Sequence, residues 1–191
     1  MNALTVNLQS VLDLTDEQFF KLCQANRDLR FERTATGELI IMPPTGGETG
    51  NKNARITQQL MNWTNADGTG IAFDSSTCFK LPNGADRSPD AAWINLERWN
   101  ALTEEEKEKF PLICPDFVIE LLSPNDSLKV AQEKMKEYID NGVSLGFLIN
   151  RKSRQLEIYR QGKEVEVLDS PATVLGEDIL NGFVLNLGMI W

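Results

Sequence analysis

Apolar positions along the chain fall into short runs of strand length, interrupted by segments with helical periodicity. From Asn51 to Trp63, Ile56, Leu60 and Trp63 recur at i, i+4 and i+7, which predicts a helix with one apolar face. LKVAQEKMKEYIDNG repeats that pattern. At about 100° per residue, Leu128, Ala131, Met135, Tyr138 and Ile139 make one stripe, and Asn141-Gly142 is the expected stop. Thr15 followed by DEQFFKLCQAN predicts a shorter helix whose first-turn acids suit the helix dipole.

Around these helices lie the candidate strands. LRFER and ELIIMPP predict a hairpin turning through Ala35-Thr36-Gly37, and the loop PPTGGETG should end at a helix start. Short strands are expected around Ile71 to Phe73 and Thr77 to Leu81, then a turn at PNGADRSP and a strand at SPDAAWI. ERWNALTEEEKEKF reads as surface helix or loop, its TEEEKEK run a solvated charged face. PDFVIELL places Phe117, Ile119 and Leu121 on one pleat face and Val118 and Leu122 on the other, so it should be central in a covered sheet. VSLGFLI, RQLEIYR and EVEVL are three further strands, the last two joined at Gly162, and the tail FVLNLGMIW is apolar enough to dock on the body or on a partner chain. This order predicts an α/β (α+β) fold with a mixed β-sheet flanked by helices, in a single domain over residues 1–191 without repeat or linker.

Composition narrows the chemistry more than the fold. The 191 residues contain no histidine, which removes Ser-His-Asp and Cys-His catalysis, histidine-containing zinc sites and histidine-metal nucleases. Carboxylates holding a hard metal, lysine, tyrosine or an isolated thiol remain. Cys23, Cys78 and Cys114 are far apart and never in a CxxC pair, so each is expected to be a small buried hydrophobe. No apolar run is long enough to span a bilayer and MNALTVNLQSVLDL lacks the flanks of a signal peptide, which predicts a cytoplasmic protein. The net charge of -9 argues against a nucleic-acid partner, yet residues 129–163 carry eight basic residues against Glu133, Glu137, Asp140 and Glu157. That segment is the place to expect phosphate contacts.

Two acids and one lysine stand out. Glu120 interrupts the apolar run FVIELL, where an ionised carboxylate costs several kcal/mol unless it is paired or bound to metal. Asp90 is in a similar position in PDAAWI. Together they suit Mg²⁺, which commonly takes one or two protein carboxylates and keeps waters. Asp90 could instead cap a turn after Ser88-Pro89, and Glu120 could instead form a buried salt bridge. Lys129 and Lys136 point away from the apolar stripe of their helix. Lys134 lies roughly 80° from the stripe's centre, where it can either reach inward or snorkel to solvent.

SPDAAWI, PDFVIELLSP, LKVAQEKMKEYIDNGVSLGFLIN and EIYR, with FERTATGELIIMPPTGGETG before them and GEDILNGFVL after, resemble the Uma-two family of endonuclease-like proteins, assigned to the PD-(D/E)xK nuclease superfamily. The resemblance covers nearly the whole chain and implies a restriction-endonuclease-like fold. It also implies that Asp90 and Glu120 are metal ligands and that Lys134, at the position matching an EKxxxY pattern with Tyr138, is the displaced motif lysine. Leu122 stands where the superfamily's own (D/E)xK lysine is expected. Glu48 resembles the extra acid some superfamily members contribute from a helix, and some relatives carry a histidine where this chain has Glu48-Thr49. Asp116 shares pleat parity with Glu120 but falls at the strand's entry, where a turn role is expected.

The implied function is Mg²⁺-dependent hydrolysis of DNA, with Mn²⁺ as an alternative ion, by in-line attack leaving a 5′-phosphate. Asp90 and Glu120 would hold the metal and Lys134 would orient or deprotonate the water. A homodimer is expected from the resemblance and from the apolar Ile190-Trp191 end. Two competing readings remain: a catalytically silent binding or assembly module on the same fold, and a metal hydrolase of small phosphorylated substrates.

Overall fold

The computed structural model describes residues 3–8 and 11–191; Met1, Asn2, Gln9 and Ser10, part of the opening segment read above for a leader, lie outside the described residues. In chain order the elements are β1 (Leu4–Val6), α1 (Asp16–Ala25), β2 (Arg30–Arg33), β3 (Leu39–Met42), α2 (Gly47–Asp67), β4 (Gly70–Asp74), β5 (Phe79–Lys80), β6 (Asp86–Arg87) and β7 (Ala91–Asn95). They continue with α3 (Leu96–Asn100), α4 (Glu104–Glu108), β8 (Phe117–Leu122), α5 (Leu128–Asp140), β9 (Leu145–Asn150), β10 (Gln155–Arg160), β11 (Glu166–Asp169), β12 (Thr173–Leu175) and β13 (Val184–Asn186).

The main sheet runs β11-β10-β9-β8-β7-β4, with β8 and β9 parallel and the other neighbours antiparallel. The parallel pair needs a crossover, and α5 supplies it. As the two-sided apolar pattern of β8 predicts, both faces of the sheet are covered. Phe117, Ile119 and Leu121 pack with Ile56 and Leu60 of α2 in one core, while Val118 and Leu122 pack with Met135 and Tyr138 of α5 in another. A smaller sheet, β1-β3-β2-β6-β5, forms a third core with α1 around Phe19, Phe31 and Leu39.

Local signals hold at most boundaries. Thr15 caps α1 in a reciprocal capping box with Gln18, and the hairpin between β2 and β3 turns at Gly37, whose φ of 86° is costly for any residue with a Cβ. Two expectations need correction. The segment GETG is already helical, because the backbone from Gly47 onward satisfies its carbonyls within α2 rather than in a loop. The expected turn PNGADRSP contains β6, whose Asp86 and Arg87 pair with β5 and β2. The apolar tail docks on its own chain: Leu185, Leu187 and Ile190 are fully buried beside Phe183, and the Trp191 indole donates to the Pro171 carbonyl. Cys78 and Cys114 are buried, and burial pushes all three thiols above the usual range. No helix among the described residues is long and apolar enough to cross a membrane.

Candidate active site

Asp90 ends the ladder between β7 and β8. The two strands pair from Ala91–Ile119 to Trp93–Phe117, so Asp90 stands opposite Glu120 on the next rung. Glu120 shares pleat parity with Val118 and Leu122, which pack under α5, while Asp90 stands one residue before β7. Beyond the last paired rung the Leu121 N–H has no strand partner, and Asp90 Oδ2 accepts it at 2.8 Å. Asp90 Oδ1 accepts Asn53 Nδ2 at 2.6 Å from α2. Burial pushes the Asp90 carboxyl above the usual range, against the opposing pull of the Leu121 N–H and the Lys134 charge.

α5 brings in the cation. Ser127 caps its start through the Val130 N–H, the Met135 and Tyr138 stripe docks on the sheet, and Lys134 is carried along the margin of that stripe as its spacing predicts. Its ammonium reaches inward, to 2.8 Å from Glu120 Oε1 and 2.8 Å from Glu32 Oε1. Lys129 and Lys136 remain exposed. Glu120 Oε1 also accepts the Tyr138 hydroxyl at 3.0 Å. Desolvation raises Glu120 to about 7 despite the lysine beside it, helped by the neighbouring charges of Asp90 and Glu32. Desolvation opposes the charge on Lys134, but Glu120 and Glu32 outweigh it and hold the ammonium above its ordinary value.

Glu32, on β2, escapes notice in LRFER, where it is one charged residue among three. It is 3% exposed and fully engaged: Oε1 accepts the Ser88 N–H as well as Lys134, and Oε2 accepts Arg87 Nη1 at 3.1 Å. Burial alone would raise it, but Lys134 and Arg87 more than compensate and keep it below the usual carboxylate range. Arg87 is in turn held by Glu137 at 2.6 Å. Asn53 had a legible signal, since it is a polar residue at i−3 and i−7 from Ile56 and Leu60 on the apolar face of α2.

Other candidates lie elsewhere. Glu48 is exposed and pairs loosely with Lys52 at 3.5 Å and Arg151 at 4.0 Å. Asp116 accepts the Asn95 N–H and pairs with Arg98, a structural role at the strand entry. Part of the basic segment is neutralised, because Arg160 binds Glu177 and Glu166, and Lys134 is internal.

Among the described residues, no group of three or more Asp, Glu, Cys or His side chains could hold an ion. The two-carboxylate set still fits a hard cation that completes its shell with water. Glu120 Oε2 accepts no hydrogen bond among the described residues, and Asn53 Oδ1 is buried beside Asp90 without a partner, so a water there would have an acceptor waiting. Asn53 also lines an open cleft of about 510 Å³ with Arg30, Thr57, Met61, Asp74 and Ser75.

The fold is similar to a crystal structure from Anabaena variabilis ATCC 29413 described as a "putative nuclease", with a TM-score of 0.76 and 21% identity over 93% of this chain and 97% of that chain. No curated protein matches. The family model Uma2, described as "Putative restriction endonuclease", matches residues 16–188, a span that includes Glu32, Asn53, Asp90, Glu120 and Lys134. By that match the chain belongs to the Uma2 family.

Proposed function

We propose that the protein is a metal-dependent endonuclease that hydrolyses DNA phosphodiester bonds, with Asp90 and Glu120 as ligands of Mg²⁺ or Mn²⁺ and Lys134 as the residue that orients the attacking water. The observation that carries this reading is the convergence of two desolvated carboxylates and one inward ammonium, from the entry to β7, from β8 and from α5. Membership of a family described by endonuclease function, and a fold similar to that of a described nuclease, point the same way.

When bound, the ion would supply charge stabilisation at the phosphate and a more acidic water. The chain supplies position. Asn53 and the Leu121 N–H fix Asp90, Tyr138 and Lys134 fix one oxygen of Glu120, and the other oxygen is left available. Water attacks phosphorus and gives up a proton to solvent, the bond to the 3′ oxygen breaks, and that oxygen takes a proton from solvent, leaving a 5′-phosphate and a 3′-hydroxyl; Lys134 donates to the attacking oxygen and keeps its lone pair directed. The cleft that Asn53 lines is open rather than enclosed, which suits an extended substrate better than a small buried one. A homodimer is part of this reading, with one centre for each strand of a duplex.

One observation favours a second reading, a silent binding module: Lys134 sits on Glu120 as an ion pair. Cleavage of plasmid and short duplex DNA, with and without Mg²⁺ or Mn²⁺, decides between them. The nuclease reading expects metal-dependent cutting that is lost in Asp90→Ala, Glu120→Ala and Lys134→Ala; a folded wild type that binds no metal and cuts no substrate overturns it.

A further inference from the structure

The two carboxylates that hold Lys134 at the same 2.8 Å are not equivalent. Glu120 receives both the Lys134 ammonium and the Tyr138 hydroxyl on Oε1, and its Oε2 accepts no hydrogen bond among the described residues, so it has an oxygen open to a cation. Glu32 has both oxygens occupied and is anchored through a relay: the Ser88 N–H and Arg87 bind it, Glu137 binds Arg87, and Asn83 Nδ2 binds Glu137 at 3.0 Å. A cation that engages Glu120 removes one of the two anchors of a buried ammonium, and the other must hold it in place.

We propose that Glu32 is a positioning residue that keeps the Lys134 ammonium beside Asp90 and Glu120 when Glu120 is engaged by a cation. This assigns a task to the smaller sheet. Arg33 of β2 pairs with Asp86 of β6 in both backbone register and side chain, and that junction sets Glu32 against Arg87 and Ser88, two residues before Asp90. Without Glu32 the ammonium leans on Glu120 alone and competes with the cation for it.

The kinetic part rests on the nuclease reading, so the test has an arm that does not. Lysine-selective ¹H–¹⁵N NMR should show an ordered Lys134 ammonium in wild type and in Glu120→Gln, and a broadened, faster-exchanging one in Glu32→Gln, where Glu120 alone holds it. Calorimetric Mg²⁺ titration should show affinity weakened about tenfold in Glu32→Gln. In cleavage, Glu32→Gln and Lys134→Gln should each lower kcat about tenfold or more with the KM for DNA little changed, and the double variant should be no slower than Lys134→Gln alone. Multiplying effects in the double variant, or an undisturbed Lys134 signal in Glu32→Gln, overturn the proposal while leaving the nuclease reading intact. A wild type that neither binds Mg²⁺ nor cuts overturns the nuclease reading, and the NMR comparison still decides whether Glu32 holds the lysine. Glu32→Asp keeps the charge but withdraws the carboxylate; it should lose part of the NMR order and of kcat, and wild-type behaviour in both overturns the proposal even if Glu32→Gln does not fold.

Discussion

The Tyr138 hydroxyl donates to Glu120 at 3.0 Å, on the same oxygen that receives the Lys134 ammonium one turn earlier in α5. Both donors crowd Oε1 and leave Oε2 free, so the helix holds the carboxylate in one orientation. The ring of Tyr138 is fully buried, and burial, with the neighbouring Glu120 and Glu32 charges, pushes its phenol well above the usual range, so it remains a donor.

Tyr138→Phe should therefore separate packing from orientation. The ring keeps its contacts, and the loss of one buried hydrogen bond should cost about 1 kcal/mol in chemical denaturation. Tyr138→Ala should cost about 3–5 kcal/mol by opening a cavity between α5 and the sheet. Cleavage by Tyr138→Phe should fall severalfold, mainly in kcat, because Glu120 is less firmly oriented.

The raised Glu120 carboxyl has consequences of opposite sign for metal binding and for stability. A proton competes with a cation for the same oxygens, so Mg²⁺ affinity and cleavage should weaken as pH falls through about 7. In the metal-free protein the folded state holds this proton more tightly than the unfolded chain does, whose glutamate has its ordinary value of about 4.3. Stability therefore declines as pH rises from roughly 4 to 7 and the cost is complete above that window. Glu120→Gln stays neutral while Lys134 keeps Glu32, so in EDTA at pH 8 it should be more stable than wild type by on the order of 2 kcal/mol, a difference that closes below about pH 5. A variant less stable than wild type at pH 8 would show that the ion pair outweighs desolvation.

Ile190 tests the tail. It is fully buried with Leu187, Leu185 and Phe183 against α2, so Ile190→Ala should cost about 2–5 kcal/mol and leave sedimentation behaviour unchanged. A shift in oligomeric state without loss of stability would return the tail to an interface.

What was legible in the sequence follows from how local each signal is. Alternation in β8 and the stripe of α5 place Glu120 and Lys134 on facing surfaces, because pleat parity and helical angle depend only on neighbouring residues. The position of Asp90 opposite Glu120 needed the strand register, which spacing does not encode. Glu32 was hidden for the same reason at longer range: its partners Ser88 and Lys134 are 56 and 102 residues away, and in LRFER nothing separates a buried acid from the solvated charges of an edge strand. The basic segment shows the same limit, since Arg160 finds Glu177 outside the window that gave that segment its positive sum.

Gly146 connects the fold to the lysine. It lies on β9 under α5, next to Val118 and Tyr159, and a Cβ there would come within 2.5 Å of Met135 Cε and 3.4 Å of Val118 Cγ2. Met135 is the residue after Lys134 and is fully buried, so pressure at this point is transmitted to the turn that carries the ammonium. In Gly146→Ala the flexible thioether end can swing aside, and the cost should stay below about 1.5 kcal/mol. Gly146→Val adds two methyl groups against a packed helix, should cost about 1–3 kcal/mol, and lifts α5 from the sheet. Because 1 Å of displacement at a reacting group can cost about a hundredfold in rate, cleavage by Gly146→Val should fall much further than its stability, with Mg²⁺ binding at Asp90 largely kept. Equal losses in both variants, or cleavage that tracks stability alone, would show that Lys134 does not depend on the seating of α5.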